Sequence, residues 1–135
     1  MREVNEHTKE WIKKGDHDLG SAKLIYLHIP NYFDTIAFHC QQAVEKYLKA
    51  VLHHNEIEII RTHNLIYLLD KISEIVFISE NLYNNAIILN EFSVQIRYPN
   101  SSIYLTNNEL KEAIEIAENF RNFILEILEL NDDLI

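Results

Sequence analysis

Two glycines and two prolines in 135 residues leave little turn chemistry. Collagen-like, mucin-like and linker-rich chains need far more of both. Glycine-rich phosphate loops, the Gly-x-Ser-x-Gly elbow and the dinucleotide fingerprint need closely spaced glycines, so those enzyme classes are excluded. The single cysteine, Cys40, cannot close an internal disulfide, so nothing marks an oxidising compartment. No apolar run nears the ~20 residues of a membrane helix. The charged start, Met1-Arg2-Glu3-Val4-Asn5-Glu6-His7, has no apolar signal core. A cytoplasmic protein with no membrane partner is expected.

Positive charge is scarce as well. The net charge is −9, with 12 basic and 21 acidic residues. Residues 109–135 hold eight acids and two bases, whereas residues 39–63 are neutral and hold four of the seven histidines. Phosphate backbones are bound by many Lys and Arg contacts. RNA is therefore a poor partner for the chain as a whole, and any nucleotide contact must use the neutral, histidine-rich middle. The acidic end reads as a solvated helix face.

What the chain has is apolar material, 47% of its residues against 24% charged. That suffices for a core without metal or disulfide. A single domain spanning residues 1–135 is expected. The apolar positions recur at helical steps nearly throughout. A first helix is predicted from Thr8 to His28, with Trp11, Ile12, Gly15, Leu19, Ala22, Tyr26 and Ile29 on one face. Gly15 lies on that face, where close approach of a neighbour could offset its low helix propensity. Asn31 is the predicted cap of a second helix, which runs to about His54 with Phe33, Ile36, Ala37, Cys40, Val44, Tyr47, Leu48 and Val51 inward. Thr62 is the predicted cap of a third helix with Leu65, Leu68, Leu69, Ile72 and Val76 inward. Ser79 starts a fourth, with Leu82, Ala86, Leu89, Ser93 and Ile96 on one side. Thr106-Asn107-Asn108-Glu109 is a capping box for a last helix running to about Leu130. Its first apolar stripe includes Leu110, Ala113, Ile114, Ala117, Phe120 and Ile124. A second, of Ile116, Phe123 and Leu130, calls for another neighbour, either a multi-helix core or a dimer partner. The predicted fold is all-α, an up-and-down bundle of about five helices.

The chemistry-bearing residues are few. The histidines lack metal-ligand spacing: there is no His-x-x-x-His or Glu-x-x-His pair, so no metal is expected. His39, Lys46 and His53 recur every seven residues and share a face of the second helix, with Gln42 and Lys49 beside them. That stripe is either a solvated side or an anion-binding surface. Arg97, Asn100, Ser101, Ser102 and Thr106 offer donors before a helix N-terminus, where amides favour anions. The alternative there is a structural turn. Cys40, between Ile36 and Val44, reads as a buried structural thiol rather than a nucleophile.

Four blocks carry a resemblance. They are Trp11 with Asp18-Leu19 and Ala22, then Ala37-Phe38-His39-Cys40-Gln41-Gln42-Ala43-Val44-Glu45-Lys46-Tyr47-Leu48-Lys49-Ala50, then Thr62-His63-Asn64-Leu65, then Arg97-Tyr98-Pro99. In order and spacing they resemble a HEPN domain over nearly the whole chain, with the Gln-Gln-x-x-Glu-Lys-x-x-Lys-Ala run the most specific part. The resemblance implies a bundle of about five helices, usually a homodimer, often encoded beside a minimal nucleotidyltransferase in a two-component, toxin–antitoxin-like pair. Some such proteins are proposed to bind nucleotides; others are metal-independent ribonucleases. The ribonucleases carry an Arg, then four to six residues, then a His that acts as acid and base beside the arginine. Here Arg97 is followed at those positions by Ser102, Ile103 and Tyr104, and no histidine comes after His63. Arg2 and His7 have the spacing but sit in a polar N-terminal stretch. The chain is similar instead to an Arg-Tyr-Pro branch.

The expectation is a binding protein without a cofactor, not an enzyme. Its candidate nucleotide or partner contacts are His39, Gln42, Lys46, Lys49, His63, Arg97 and Tyr98. Arg97 would pair with phosphate, and Tyr98 would stack on a base or receive a nucleotidyl group. The alternatives are a ribonuclease using His39 or His63 as a substitute base, and a structural helical dimerisation module.

Overall fold

Helix starts in this chain are set by side chains that accept from exposed backbone amides. A computed structural model describes residues 3–95 and 105–131. Its elements are α1 (Glu6–His28), α2 (Phe33–His54), α3 (Leu65–Ile72), α4 (Glu80–Gln95) and α5 (Asn107–Leu128), an all-α bundle with no strand among the described residues. Thr106 and Glu109 form the expected capping box of α5, each side chain accepting from the other's amide at 3.2 and 3.0 Å. Ser79 Oγ accepts from Leu82 at 3.2 Å as α4 begins.

Three starts differ from the sequence reading. α1 begins at Glu6 because Asn5 accepts from the Thr8 amide at 2.8 Å. Thr8, predicted to open the helix, is instead buried inside its first turns. Asn31 does not cap α2; Tyr32 holds that position with no side-chain bond. Asn64, not Thr62, caps α3, and Thr62 Oγ1 accepts from the Asn64 amide one step earlier. α5 stops at Leu128, where Glu129 takes a left-handed conformation.

α2 lies at the centre and packs against α1, α3, α4 and α5. Its predicted apolar face is buried throughout from Ile36 to Val51. Cys40 is fully buried, and burial, with the charge of Glu118, pushes its thiol pKa up to about 12. A thiol held protonated in an apolar core is a packing group. Gln41, Glu45 and Lys49 are buried too, so α2 is enclosed on sides the periodicity assigns to solvent. Gly15 allows α1 to approach: a Cβ there would sit 2.6 Å from Tyr47 Cε1 and 3.2 Å from the Ala43 carbonyl oxygen. On α5 the second apolar stripe is met in part by the chain's own core, since Ile116 is buried, while Phe123 and Leu130 pack half-buried against it. Ile96 and the Arg97–Ser102 loop lie outside the described residues.

Candidate functional site

Three of the four resemblance-bearing blocks meet around α2, along its seam with α1 and at the entry of α3. Lys49 Nζ donates to Glu45 Oε2 at 2.9 Å, one helical turn away. Glu45 Oε1 lies 2.8 Å from His63 Nδ1. A carboxylate only accepts, so His63 carries its proton on Nδ1. Gln41 Nε2 donates to the His63 carbonyl at 2.7 Å, and Gln42 Nε2 donates to Gln41 Oε1 at 3.0 Å. The Gln-Gln-x-x-Glu-Lys-x-x-Lys run is therefore a clamp that fixes the entry of α3 onto α2. Asn64 extends it: its Oδ1 accepts from the Ile66 amide at 3.0 Å and from Asn90 Nδ2 of α4 at 3.2 Å.

A second cluster lies nearer the other end of the seam. Asp18 of α1 accepts from Lys46 Nζ and, at 2.8 Å, from His39 Nδ1. His39 and Lys46 are seven residues apart, so one carboxylate reaches both. The predicted cationic stripe is thus matched by acids from the same seam: Asp18 for His39 and Lys46, Glu45 for Lys49 and His63. His53, the third member of the stripe, has Nδ1 2.8 Å from Thr8 Oγ1 and stacks on His7 at 4.4 Å between ring centroids. Desolvation by burial, with a smaller push from His7, lowers the His53 pKa below 6.5. His7, read from sequence as part of a polar end, is in the first turn of α1 and takes part in this packing.

Between these clusters is a cleft of about 190 Å³ lined by His7, Glu10, Trp11, Lys14 and Lys46. Lys49 Nζ stands 5.8 Å from the centre of the Trp11 ring. Trp11 Nε1 is buried and has no hydrogen-bond partner among the described residues. An indole N–H that is buried usually finds an acceptor. Of the predicted site residues, Lys46 reaches this cleft, and His39, Gln42, Lys49 and His63 form the polar network behind and beside it. Arg97 and Tyr98 lie outside the described residues.

A second cleft, about 360 Å³, lies between α1 and α5 and is lined by Asp16, Leu19, Gly20, Lys23, Glu118, Arg121 and Asn122. Its charges pair across it. Arg121 Nε and Nη2 donate to the two Asp16 oxygens at 2.7 and 3.2 Å, and Lys23 meets Glu118 at 2.9 Å. Tyr47 Oη also donates to Asp16, at 2.6 Å. Burial and that bond raise the Tyr47 pKa strongly. This arrangement ties α1, α2 and α5 together and serves stability. Sequence reading passed over Asp16, Arg121, Glu10 and Lys14; the notch at Gly15 is the local signal that a large α2 side chain meets α1 beside Asp16. Among the described residues no cluster of three or more His, Cys, Asp or Glu could hold a metal ion.

The family model for the HEPN domain matches residues 8–128. A Thermus thermophilus protein of known crystal structure is 25% identical, with a TM-score of 0.78 over 90% of this chain and 98% of its own. An archaeal HEPN homologue is 22% identical, with a TM-score of 0.72 over 95% of this chain and 99% of its own. A HEPN domain protein from Thermotoga maritima is 22% identical, with a TM-score of 0.75 over 89% of this chain and 98% of its own. No curated protein matches the chain.

Proposed function

The chain belongs to the HEPN domain family, and on that premise we propose that it acts by binding, not catalysis, as the nucleotide-binding component of a pair with a minimal nucleotidyltransferase. The observation that carries the nucleotide reading is the α1–α2 cleft. There Lys14 and Glu10 have no hydrogen-bond or ion-pair partner among the described residues, and the buried Trp11 N–H has no acceptor. Aromatic rings and the carbon stems of Lys14 and Lys46 suit the base of a nucleotide, whose phosphate would lie at the mouth, within reach of the lysine ends. Lys46 is the ligand-facing member of the predicted set. His39 shares Asp18 with it, Gln42, Lys49 and His63 belong to the clamp at the entry of α3, and Arg97 and Tyr98 join from the sequence alone. Homodimerisation and the toxin–antitoxin-like setting belong to the same proposal and come from the family resemblance.

The test is a thermal-shift panel of the four nucleoside triphosphates and their monophosphates. A ligand at 100 times its dissociation constant adds ~2.7 kcal/mol, a rise of several degrees for a domain of this size. The Lys14→Ala, Lys46→Ala double variant should lose the shift. A flat panel with wild-type protein overturns nucleotide binding. Light scattering on the eluted protein, alone and co-expressed with a minimal nucleotidyltransferase, tests the dimer and the partner.

One observation favours the ribonuclease reading. His39 and His63 each have Nδ1 on a carboxylate, the arrangement that orients an imidazole for proton transfer. It requires metal-independent RNA cleavage that disappears in the His39→Ala, His63→Ala double variant. Cleavage that survives the double variant rejects it.

A further inference from the structure

Among the described residues the most exposed large apolar side chain is Phe77, 86% open to solvent. It sits on a pinned connection between α3 and α4. The Ile75 and Val76 amides donate to the Ile72 carbonyl at 2.9 and 3.1 Å, and Ser79 Oγ accepts from the Leu82 amide at 3.2 Å. Tyr83 Oη donates to Asp70 at 2.8 Å and ties α4 back to α3. Ile78 is buried and Val76 half-buried, so the neighbours that anchor the turn leave Phe77 standing outward as a knob, with Ile75 exposed beside it. An aromatic ring presented in this way is the form of an interface anchor, which gains its burial only when a partner supplies a pocket.

The α1–α2 cleft is such a pocket. Its wall is almost all carbon, from the rings of His7 and Trp11 and the stems of Glu10, Lys14 and Lys46. An apolar cavity of ~150 Å³ takes one benzene ring, and this cleft holds about 190 Å³. Phe77 does not enter the cleft of its own chain, so a phenyl ring that fills it comes from another. We propose that the cleft of one copy takes the Phe77 ring of a second copy of this chain. The two sides carry opposite charge. Glu74 and Glu80 flank Phe77 and are exposed, while Lys71 Nζ lies over the Tyr67 ring, 5.7 Å from its centre. At the cleft Lys13 and Lys14 are exposed, with Glu10 the one acid beside them. An acidic knob thus meets a basic rim, in a chain whose net charge of −9 otherwise keeps copies apart. Knob and hole lie on every copy, so two copies exchange the contact twice about a two-fold axis. This contact goes beyond the proposed function and does not rest on a nucleotide in the cleft.

Sedimentation velocity over a concentration series tests it, with Trp11 emission followed on the same samples. Trp11 is the only tryptophan and lines the cleft, so its emission reports entry of a ring there. Wild type should pass from monomer to dimer, and the emission should change with the same midpoint. Phe77→Ala should raise the dimer dissociation constant by on the order of thirtyfold and flatten the emission change. Its melting temperature as a monomer should match wild type, because the side chain removed is exposed. Glu74→Lys with Glu80→Lys, and separately Lys13→Glu with Lys14→Glu, should each weaken association, and mixing the two double variants should restore it. A wild type that stays monomeric to about 1 mM, or a dimer that Phe77→Ala leaves as tight as before, overturns the contact. Either result leaves the nucleotide reading standing, and a flat nucleotide panel leaves the contact standing. Where both hold, base and ring compete for one cleft, and a nucleotide that gives a thermal shift should also dissociate the dimer.

Discussion

Asp16 and Asp18 stand two residues apart on α1 and serve opposite sides of it. Two residues turn a helix by about 200°, so their side chains leave in nearly opposite directions. Asp16 meets the forked Arg121 of α5 and the buried hydroxyl of Tyr47, in a corner where three helices converge. Asp18 meets Lys46 and His39 at the edge of a cleft whose remaining charges are uncommitted. The same residue type thus locks the bundle on one side and tunes a surface on the other. Partner geometry decides which: a planar guanidinium holds both Asp16 oxygens, whereas an ammonium on a flexible stem can turn from Asp18 toward a ligand.

The largest effect should follow Asp16→Ala. It strands the buried Tyr47 hydroxyl and removes the carboxylate from Arg121, whose side chain is 19% exposed. The expected cost is about 2–3 kcal/mol, on the order of 10 °C in melting temperature. Differential scanning calorimetry checks it. A loss near that of a surface substitution would mean the corner is not the lock.

Gly15→Ala probes the same side through packing. Its new methyl would meet the Tyr47 ring at 2.6 and 2.8 Å, so α1 must move off α2. Overpacking of ~1–3 kcal/mol exceeds the gain of ~1 kcal/mol in helix propensity, so urea denaturation should show a net loss. Gly20→Ala should do the reverse, because nothing lies within 4 Å of a Cβ there. If both variants shift stability the same way, close approach is not why Gly15 is a glycine.

Asp18→Asn should cost less, about 1 kcal/mol, because the amide keeps one acceptor for Lys46 or His39. Its signature lies in binding: by releasing Lys46 the variant should alter the nucleotide-induced thermal shift, while Asp16→Ala should leave that shift unchanged where the protein is folded. A nucleotide-induced shift altered by Asp16→Ala would erase the distinction between the two sides.

The parts legible in the sequence were local. The Thr106–Glu109 box, the Ser79 cap, the buried Cys40 and the notch at Gly15 each follow from a few adjacent residues or one helical period. The Asp16–Arg121 pair spans 105 positions and leaves no periodic trace. Glu45 and Lys49 have the spacing of an ordinary surface pair, yet the entry of α3 and the Trp11 ring bury them. That is why the stripe on α2 reads as exposed cationic surface and folds as a neutralised network. For the candidate site, Lys46 was legible as a cation on the right face. Glu10 and Lys14 were not, because nothing in α1 alone says which of its polar residues line a cleft with α2.

The smallest effect separates the two sides by pH. His53 rests on Thr8, which is fully buried, and stacks on His7; burial first and the His7 charge second lower its pKa below 6.5. Between that lowered value and 6.5 the unfolded chain binds the proton that the folded chain excludes. Stability from this group is therefore complete above 6.5 and is lost as pH falls through the window. The Asp16 side carries no such group, since arginine stays protonated and Tyr47 is raised far from neutrality. Melting curves at about pH 5.5 and 7.5 should then show a smaller acid-side drop in His53→Gln than in wild type. Asp16→Ala should lower both curves and leave the difference between them as it was. An equal drop in His53→Gln and wild type would mean that the His53–Thr8 contact opens to water in solution, and that the groove end of the α1–α2 seam is looser than its Asp16 side.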